Sequence, residues 1–328
     1  VVDGNVLFKN NKTHNRGGAI YLVDNSTAKI SGKNVVFKNN KAKKYGGAIY
    51  VQYSSLTVDG ATFDGNSASL GGAILALGGS GPDEKATVQM KDCTFTGNST
   101  TGGGAGGALY LQDVETTLTG CTIENNTAGG GVFVTANDAT LTLNGTNLIQ
   151  NNTIKSGGAP CNLYLEVAGD SDTSNKQLTL NVGDSFDCSR VGVTMHTVER
   201  NAPAASVPFT VGYQENCGDT HPSSYFFSDN SGYRVDWSED GSEARLLKGK
   251  AEYKVVLDPT SLDFGSKVVD YATAPEAKTV TITNTGNMPV TVTLPKIDGY
   301  ILAWDDGTQS PTKTLPIRGS AVFTVQPK

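Results

Sequence analysis

Residues 35–60 read VVFKNNKAKKYGGAIYVQYSSLTVDG. Three short β-like runs lie in this stretch: Val35–Phe37, Ala48–Val51 and Ser55–Gly60. Between the first two stand Asn40, a lysine-rich turn and the pair Gly46–Gly47. The same order recurs along the chain. An aromatic or aliphatic residue, two residues and then Asn appear at Phe8/Asn11, Phe37/Asn40, Phe63/Asn66, Phe95/Asn98, Ile123/Asn126 and Ile149/Asn152. A polar loop and a glycine pair follow each: Gly17–Gly18, Gly46–Gly47, Gly71–Gly72, Gly106–Gly107, Gly130–Gly131 and Gly157–Gly158. The anchors lie 29, 26, 32, 28 and 26 residues apart, a mean of 28.2. Propeller blades need about 40–45 residues, and helical repeats need an apolar spacing of about 3.6, which the chain lacks. Three strands of about five residues with three turns make one coil of a parallel β-helix.

Stacked coils lie about 4.8 Å apart, with backbone hydrogen bonds along the solenoid axis. Alternation then sorts the side chains. Ile20, Leu22, Ile49, Val51, Leu109 and Leu111 are expected to point inward. Ala19, Tyr21, Ala48, Tyr50, Ala108 and Tyr110 are expected to point outward. Phe8, Phe37, Phe63 and Phe95 should form an internal column. Asn11, Asn40, Asn66, Asn98, Asn126 and Asn152 should sit in a turn, each amide bonded to its equivalents above and below. Asn also tolerates the left-handed backbone that such a turn can need.

Composition agrees with a β-rich chain. Hydrophobic residues are 37% and charged residues 18%, too few strong helix formers and paired charges for a helical bundle. The net charge of −6 gives no electrostatic reason to expect a nucleic-acid partner. No apolar run approaches the roughly 18–20 residues of a membrane span. The opening VVDGNVLFKNN lacks the basic start and apolar stretch of a signal peptide and reads as mid-repeat, so the chain is expected to be a piece of a longer protein.

The FxxN and GGA(I/L/V) tetrads, over about Val1 to Val167, resemble the repeats of the polymorphic outer-membrane proteins and of related adhesin-like surface proteins. The resemblance implies a right-handed β-helical passenger or stalk outside a bacterial cell, used for adhesion. The fifth copy departs from the pattern as GGGVFV, and the sixth as GGAPCNLYLEV.

The repeat fades over Leu178–Lys250, where short alternating strands should form the last coils and a cap. Dividing residues 1–250 by the 28.2-residue repeat gives about nine coils. From Ala251 strictly alternating runs separated by Gly, Asn and Pro turns read as antiparallel. LDFG followed by TVTITNTGNMPVTV resembles immunoglobulin-like domains of the ASH/major-sperm-protein type. The expected fold is therefore all-β: a right-handed parallel β-helix with a cap over residues 1–250, then a small antiparallel β-sandwich over residues 251–328.

Three sets of residues are candidates for function. Tyr21, Tyr50, Tyr110 and Tyr164 occupy equivalent outward positions, with Leu75 and Val134 interrupting the row. Such rings would stack on sugars or contact a protein, or simply stabilise the sheet. Lys38, Lys41, Lys43 and Lys44 cluster in one turn of a segment, residues 1–50, that carries nine Lys/Arg and two Asp/Glu. The patch would meet anionic glycans or envelope polymers, or be a solvated face. The acids Asp59, Asp64, Asp92 and Glu124 lie beside turns at unequal positions, and His14, His196 and His221 are dispersed, so no catalytic constellation emerges.

Cys93 and Cys121 should face inward as stacked core residues. Cys161, Cys188 and Cys217 are spaced one coil apart and leave one disulfide open. Cys217, His221, Cys188 and His196 match no standard zinc spacing. The expected function is a non-catalytic, monomeric adhesin or stalk, extracellular, without metal or cofactor, with glycans or host proteins as partners. The alternatives are a polysaccharide-active lyase or glycosidase and a purely architectural stalk.

Overall fold

The aromatic residue of each FxxN stretch sits in the middle of a three-residue strand. Leu7–Lys9, Val36–Lys38, Thr62–Asp64, Thr94–Thr96, Thr122–Glu124 and Leu148–Gln150 pair in parallel and in register, forming the Phe face. Ile20–Leu22, Ile49–Gln52, Ile74–Leu77, Leu109–Gln112, Val132–Thr135 and Leu163–Leu165 form a Tyr face in the same way. A third, eight-stranded Thr face runs from Val2–Asp3 through Ser55–Asp59 and Glu115–Thr119 to Thr210–Val211. Four turns add a two-residue strand at the corner between the Phe and Tyr faces: Lys12–Thr13, Lys41–Ala42, Ser67–Ala68 and Ser99–Thr100. The computed structural model describes residues 1–32, 34–79, 81, 84–135, 139–154, 158–166, 178–195, 208–266 and 274–328. Gly157, His196 and the loop 169–176 lie outside them.

The core is a set of columns. The rings of Phe8, Phe37, Phe63 and Phe95 stack at 4.6, 4.7 and 4.6 Å between centroids, with planes within 5° of parallel. Ile123 and Ile149 continue the column. Each aromatic pair adds about 0.5–1.5 kcal/mol to the burial of the rings themselves.

One expectation fails at the glycine pairs. The N–H groups of Ala48 and Ile49 both donate to Ala73 O, at 2.8 and 3.1 Å, and those of Ala73 and Ile74 both donate to Ala108 O. Two successive donors on one carbonyl mark a β-bulge, which breaks the alternation. Ala48, Ala73 and Ala108 therefore face the core beside Ile49, Ile74 and Leu109, and Ala19 packs against it; none of these alanines faces solvent as expected.

The asparagines form a polarised ladder. Asn40 N and Nδ2 both donate to Asn66 Oδ1 at 2.9 Å, and the pattern repeats at every step from Asn11 to Asn152. The second Nδ2 hydrogen returns to the backbone: Asn66 Nδ2 donates to Phe37 O and Asn98 Nδ2 to Phe63 O, both at 2.9 Å. The left-handed residue is not the ladder asparagine but the one before it: Asn10, Asn39, Gly65, Gly97, Asn125 and Asn151 have φ between 54° and 66°.

The ladder ends where the corner ends. Asn152 donates to Asn162 Oδ1, and Asn162 N donates to Asp229 Oδ2 at 2.7 Å while its Nδ2 donates to Asp229 Oδ1. A carboxylate accepts without donating, so it closes a chain of amides that all point one way. Beside it, strand Arg190–Met195 runs straight through the missing corner, pairing with Leu148 and Ile149 on the Phe face and with Leu163–Leu165 on the Tyr face. A Cβ on Gly192 would meet Asn162 Nδ2 and Asp229 Oδ1 at 2.4 and 2.5 Å.

The parallel solenoid thus makes about six turns rather than nine. Among the described residues, this straight strand and a closing segment follow. Its hairpin, Tyr233–Trp237 with Ala244–Lys248, is antiparallel. Phe186, Phe209, Tyr213, Phe226 and Trp237 close the end of the core with edge and stacked contacts.

The chain divides into two compact units, Val1–Gly249 and Lys250–Lys328. In the second, Val255–Asp258, Lys278–Asn284, Ser320–Pro327 and Tyr300–Trp304 form an antiparallel sheet in that order. Val290–Thr293 pairs with Thr312–Leu315 in a separate hairpin. Ile282, Leu294, Trp304, Leu315 and Ala321 form a small core drawn from both.

Candidate functional site

Tyr21, Tyr50, Leu75, Tyr110, Phe133 and Tyr164 share one column on the Tyr face. Phe133, not Val134, holds the fifth place. Gly106 and Gly130 are equivalent left-handed residues, and Gly131 O accepts from Ala108 and Leu109 as Ala108 O accepts from Ala73 and Ile74. The fifth copy is thus one residue short at the bulge. Because alternation has a period of two, that deletion turns Phe133 out and Val134 in.

The column is not an open row of ring faces. Tyr50 is fully buried. Tyr21 stacks on it at 5.3 Å, the Arg16 guanidinium lies 5.0 Å from its centroid, and Tyr45 lies alongside at 6.3 Å. Its hydroxyl donates to Gln52 Oε1 at 2.9 Å. Burial raises its pKa, against the pull of Arg16. Farther along, Tyr110, Phe133 and Tyr164 stack at 5.3 and 4.9 Å with planes within 9°. Both faces of Phe133 are taken by its neighbours, so this half-buried ridge presents ring edges. Gln112 and Glu166 flank it, and Thr135 donates to Glu166 Oε2. Burial, then Glu166, raises the Tyr110 hydroxyl pKa. Only Tyr21, at 53% exposure, is open.

The lysines divide. Lys38 stands on the outside of the Phe face and pairs with Asp64 at 2.5 Å. Lys41 and Lys43 line a groove on the short corner strands together with Lys12 and His14. Lys44 is exposed, bonded through its backbone to Asn15 and Leu70.

The acids are more ordered than the sequence reading allowed. Asp64 and Glu124 are equivalent, in the outward column Lys38, Asp64, Thr96, Glu124, Gln150. They lie two strands, or about 10 Å, apart. Asp64 is paired with Lys38, and Glu124 Oε1 accepts from Gln150 Nε2 at 2.7 Å. Asp59 stands on the Thr face opposite Lys91, and Asp92 in a left-handed turn.

All five cysteines are free thiols. Cys93 and Cys121 stack inside the core, where the thiol–thiol hydrogen bond and burial push Cys121 well up. Cys188 is exposed, and burial lifts Cys217 to about 11. Among the described residues no group of three His, Cys, Asp or Glu stands close enough to hold a metal.

A model of the right-handed β-helix region matches residues 2–89. The Chlamydia polymorphic membrane protein repeat matches residues 92–112. The fold is a parallel β-helix, and one of its copies is similar to a polymorphic membrane protein repeat. The second match spans the fourth copy, with Phe95, Asn98, Gly106–Gly107 and Tyr110 in their stacked positions. Neither a curated protein nor a solved structure matches the chain.

Reading the sequence missed Asn162, Asp229, Phe133 and the Arg16–Tyr45 cover over Tyr50. For the first two the signal was absent: Asn162 follows Asn152 by 10 residues, and Asp229 follows Asn162 by 67. Counting back from the paired aromatic and aliphatic positions would have found Phe133.

Proposed function

We propose that this chain is part of a non-catalytic adhesive protein of a bacterial surface, in which the β-helix is a rigid frame that holds rows of outward side chains for a ligand. The second unit reads as an immunoglobulin-like module of the same extracellular protein. The observation that carries the proposal is the registered outer ridge Tyr110–Phe133–Tyr164 beside Gln112 and Glu166. Columns of this kind keep their spacing because the strands that carry them pair in parallel and in register. Ring edges with a neighbouring carboxylate suit a saccharide or a polar protein surface.

The test is a glycan array together with pull-downs on extracellular matrix proteins, using the chain and its Phe133→Ala and Tyr164→Ala variants. Capture that weakens in both variants is expected. Silence on both assays would leave only a spacer. Depolymerisation of pectin- or alginate-like polymers would contradict the proposal in favour of an enzyme.

A further inference from the structure

The corner between the Phe and Tyr faces carries a row of basic residues. Its two-residue strands stack in register, Lys12 opposite Lys41, Lys41 opposite Ser67 and Ser67 opposite Ser99. A groove of about 420 Å³ runs there, lined among others by Lys12, His14, Lys41, Lys43, Ser67 and Thr101. Neighbouring strands lie about 4.8 Å apart, and like charges directly opposite on such strands destabilise a sheet. Elsewhere on this solenoid the same problem is solved internally: Lys38 has Asp64 at 2.5 Å. Among the described residues no carboxylate comes within 4.0 Å of Lys12, Lys41 or Lys43. The excess is local, since residues 1–50 carry nine Lys/Arg and two Asp/Glu in a chain of net charge −6.

We infer that this groove binds a linear anionic polysaccharide. Its carboxylate or sulfate groups lie between the lysine side chains, and the hydroxyls of Ser67 and Thr101 bond the sugar farther along. Lys12 and Lys41 one strand apart, with Lys43 two residues farther along the chain, spread three ammonium groups over an open groove, which suits a polymer that repeats its own charge. A single small ion would not engage all three. The inference deepens the adhesive reading and rests on it, by naming a ligand class and a second site away from the aromatic ridge.

The experiment titrates the whole chain with polygalacturonate, heparin, neutral dextran and a short duplex DNA by calorimetry at low and high salt. The variants are the triple Lys12→Gln/Lys41→Gln/Lys43→Gln and the single Lys38→Gln, which lies outside the groove. Binding of one or both polyanions and none of dextran is expected, weakening as salt rises. The triple variant should bind roughly tenfold or more weakly, and Lys38→Gln within about twofold of the parent. The two polyanions separate uronate from sulfate as the preferred group. The triple variant should melt no lower than the parent, because it removes like-charge repulsion. Failure of both polyanions to bind, parent-like binding by the triple variant, or tighter binding of duplex DNA would overturn the inference. If capture through Phe133 and Tyr164 persists while polyanion binding fails, the groove assignment falls alone. If both fail, the adhesive reading falls with it.

Discussion

Asn66→Ala removes one rung from the middle of the amide ladder. Asn66 Oδ1 accepts from Asn40 N and from Asn40 Nδ2, both at 2.9 Å. Its Nδ2 donates to Phe37 O and to Asn98 Oδ1, again at 2.9 Å. Asn40, Asn66 and Asn98 are all fully buried. Truncation therefore strands two donors of Asn40, its N–H and one Nδ2 hydrogen, away from water. Each unsatisfied buried group costs about 1–3 kcal/mol, so the expected loss is roughly 2–6 kcal/mol, reduced where a water enters the space left. Asn11→Ala is the internal control. Asn11 is exposed and only donates to Asn40, so its loss should cost about 1 kcal/mol or less. Asn66→Asp keeps the shape but turns two donor positions into acceptors facing Phe37 O and Asn98 Oδ1, and should be at least as damaging as Ala. A repeat array need not unfold in one step. The assay therefore combines urea midpoints by far-UV circular dichroism with hydrogen exchange of the peptide containing the Asn40 amide. Equal midpoints for Asn66→Ala and Asn11→Ala, with Asn40 still protected, would refute the reasoning.

Three further outcomes are expected. Asp229→Ala takes away the acceptors of Asn162 N and Nδ2 and of Thr194 Oγ1, so the urea midpoint should fall by the equivalent of about 2–4 kcal/mol; unchanged stability would mean that the ladder needs no terminal acceptor. In timed alkylation with mass spectrometry, exposed Cys188 should react first, and Cys217 should lag at pH 8 and accelerate as pH climbs toward about 11. Buried Cys93, Cys121 and Cys161 should react only after denaturation, and early labelling of Cys121 would contradict its place in the core. The Lys313 ammonium and the Thr308 contacts hold the Asp306 carboxyl down at about 2. A folded pKa below the unfolded one stabilises the native state above the ordinary carboxylate range, and that contribution fades as pH falls toward 2. An NMR titration should give that low midpoint in the parent chain and a higher one in Lys313→Met; coincident titrations would remove the pairing from the account.

The repeat itself was legible because it depends on local rules. Phe37, Phe63 and Phe95 share spacing to Asn and to the glycine pair, and stacking of equal turns makes them a column. The three faces followed from three alternating runs per period. What escaped was whatever breaks the count by one. The bulge that turns Ala48 inward is written in backbone hydrogen bonds rather than in side-chain pattern, and the deletion at Gly130–Gly131 looks in sequence like one more glycine. Burial of Tyr50 escaped for another reason. Its cover comes from Arg16 and Tyr45, loop residues whose path alternation does not predict. Among the lysines, Lys38 follows Phe37 on a strand, whereas Lys41 begins the two-residue corner strand, so neighbours in sequence part onto different surfaces. Asp64 opposite Lys38 was likewise invisible until the turns were stacked.

The claim on which the rest depends is that successive turns lie in register, so that residues 26–32 positions apart touch. The direct measurement is a ring-to-ring nuclear Overhauser experiment on chain labelled only at phenylalanine. Centroids 4.6–4.7 Å apart predict strong cross-peaks linking Phe8 to Phe37, Phe37 to Phe63 and Phe63 to Phe95 in one unbroken series. Assigned ring signals with no such cross-peaks, in chain that still shows a β-rich circular dichroism spectrum, would contradict the stacked solenoid.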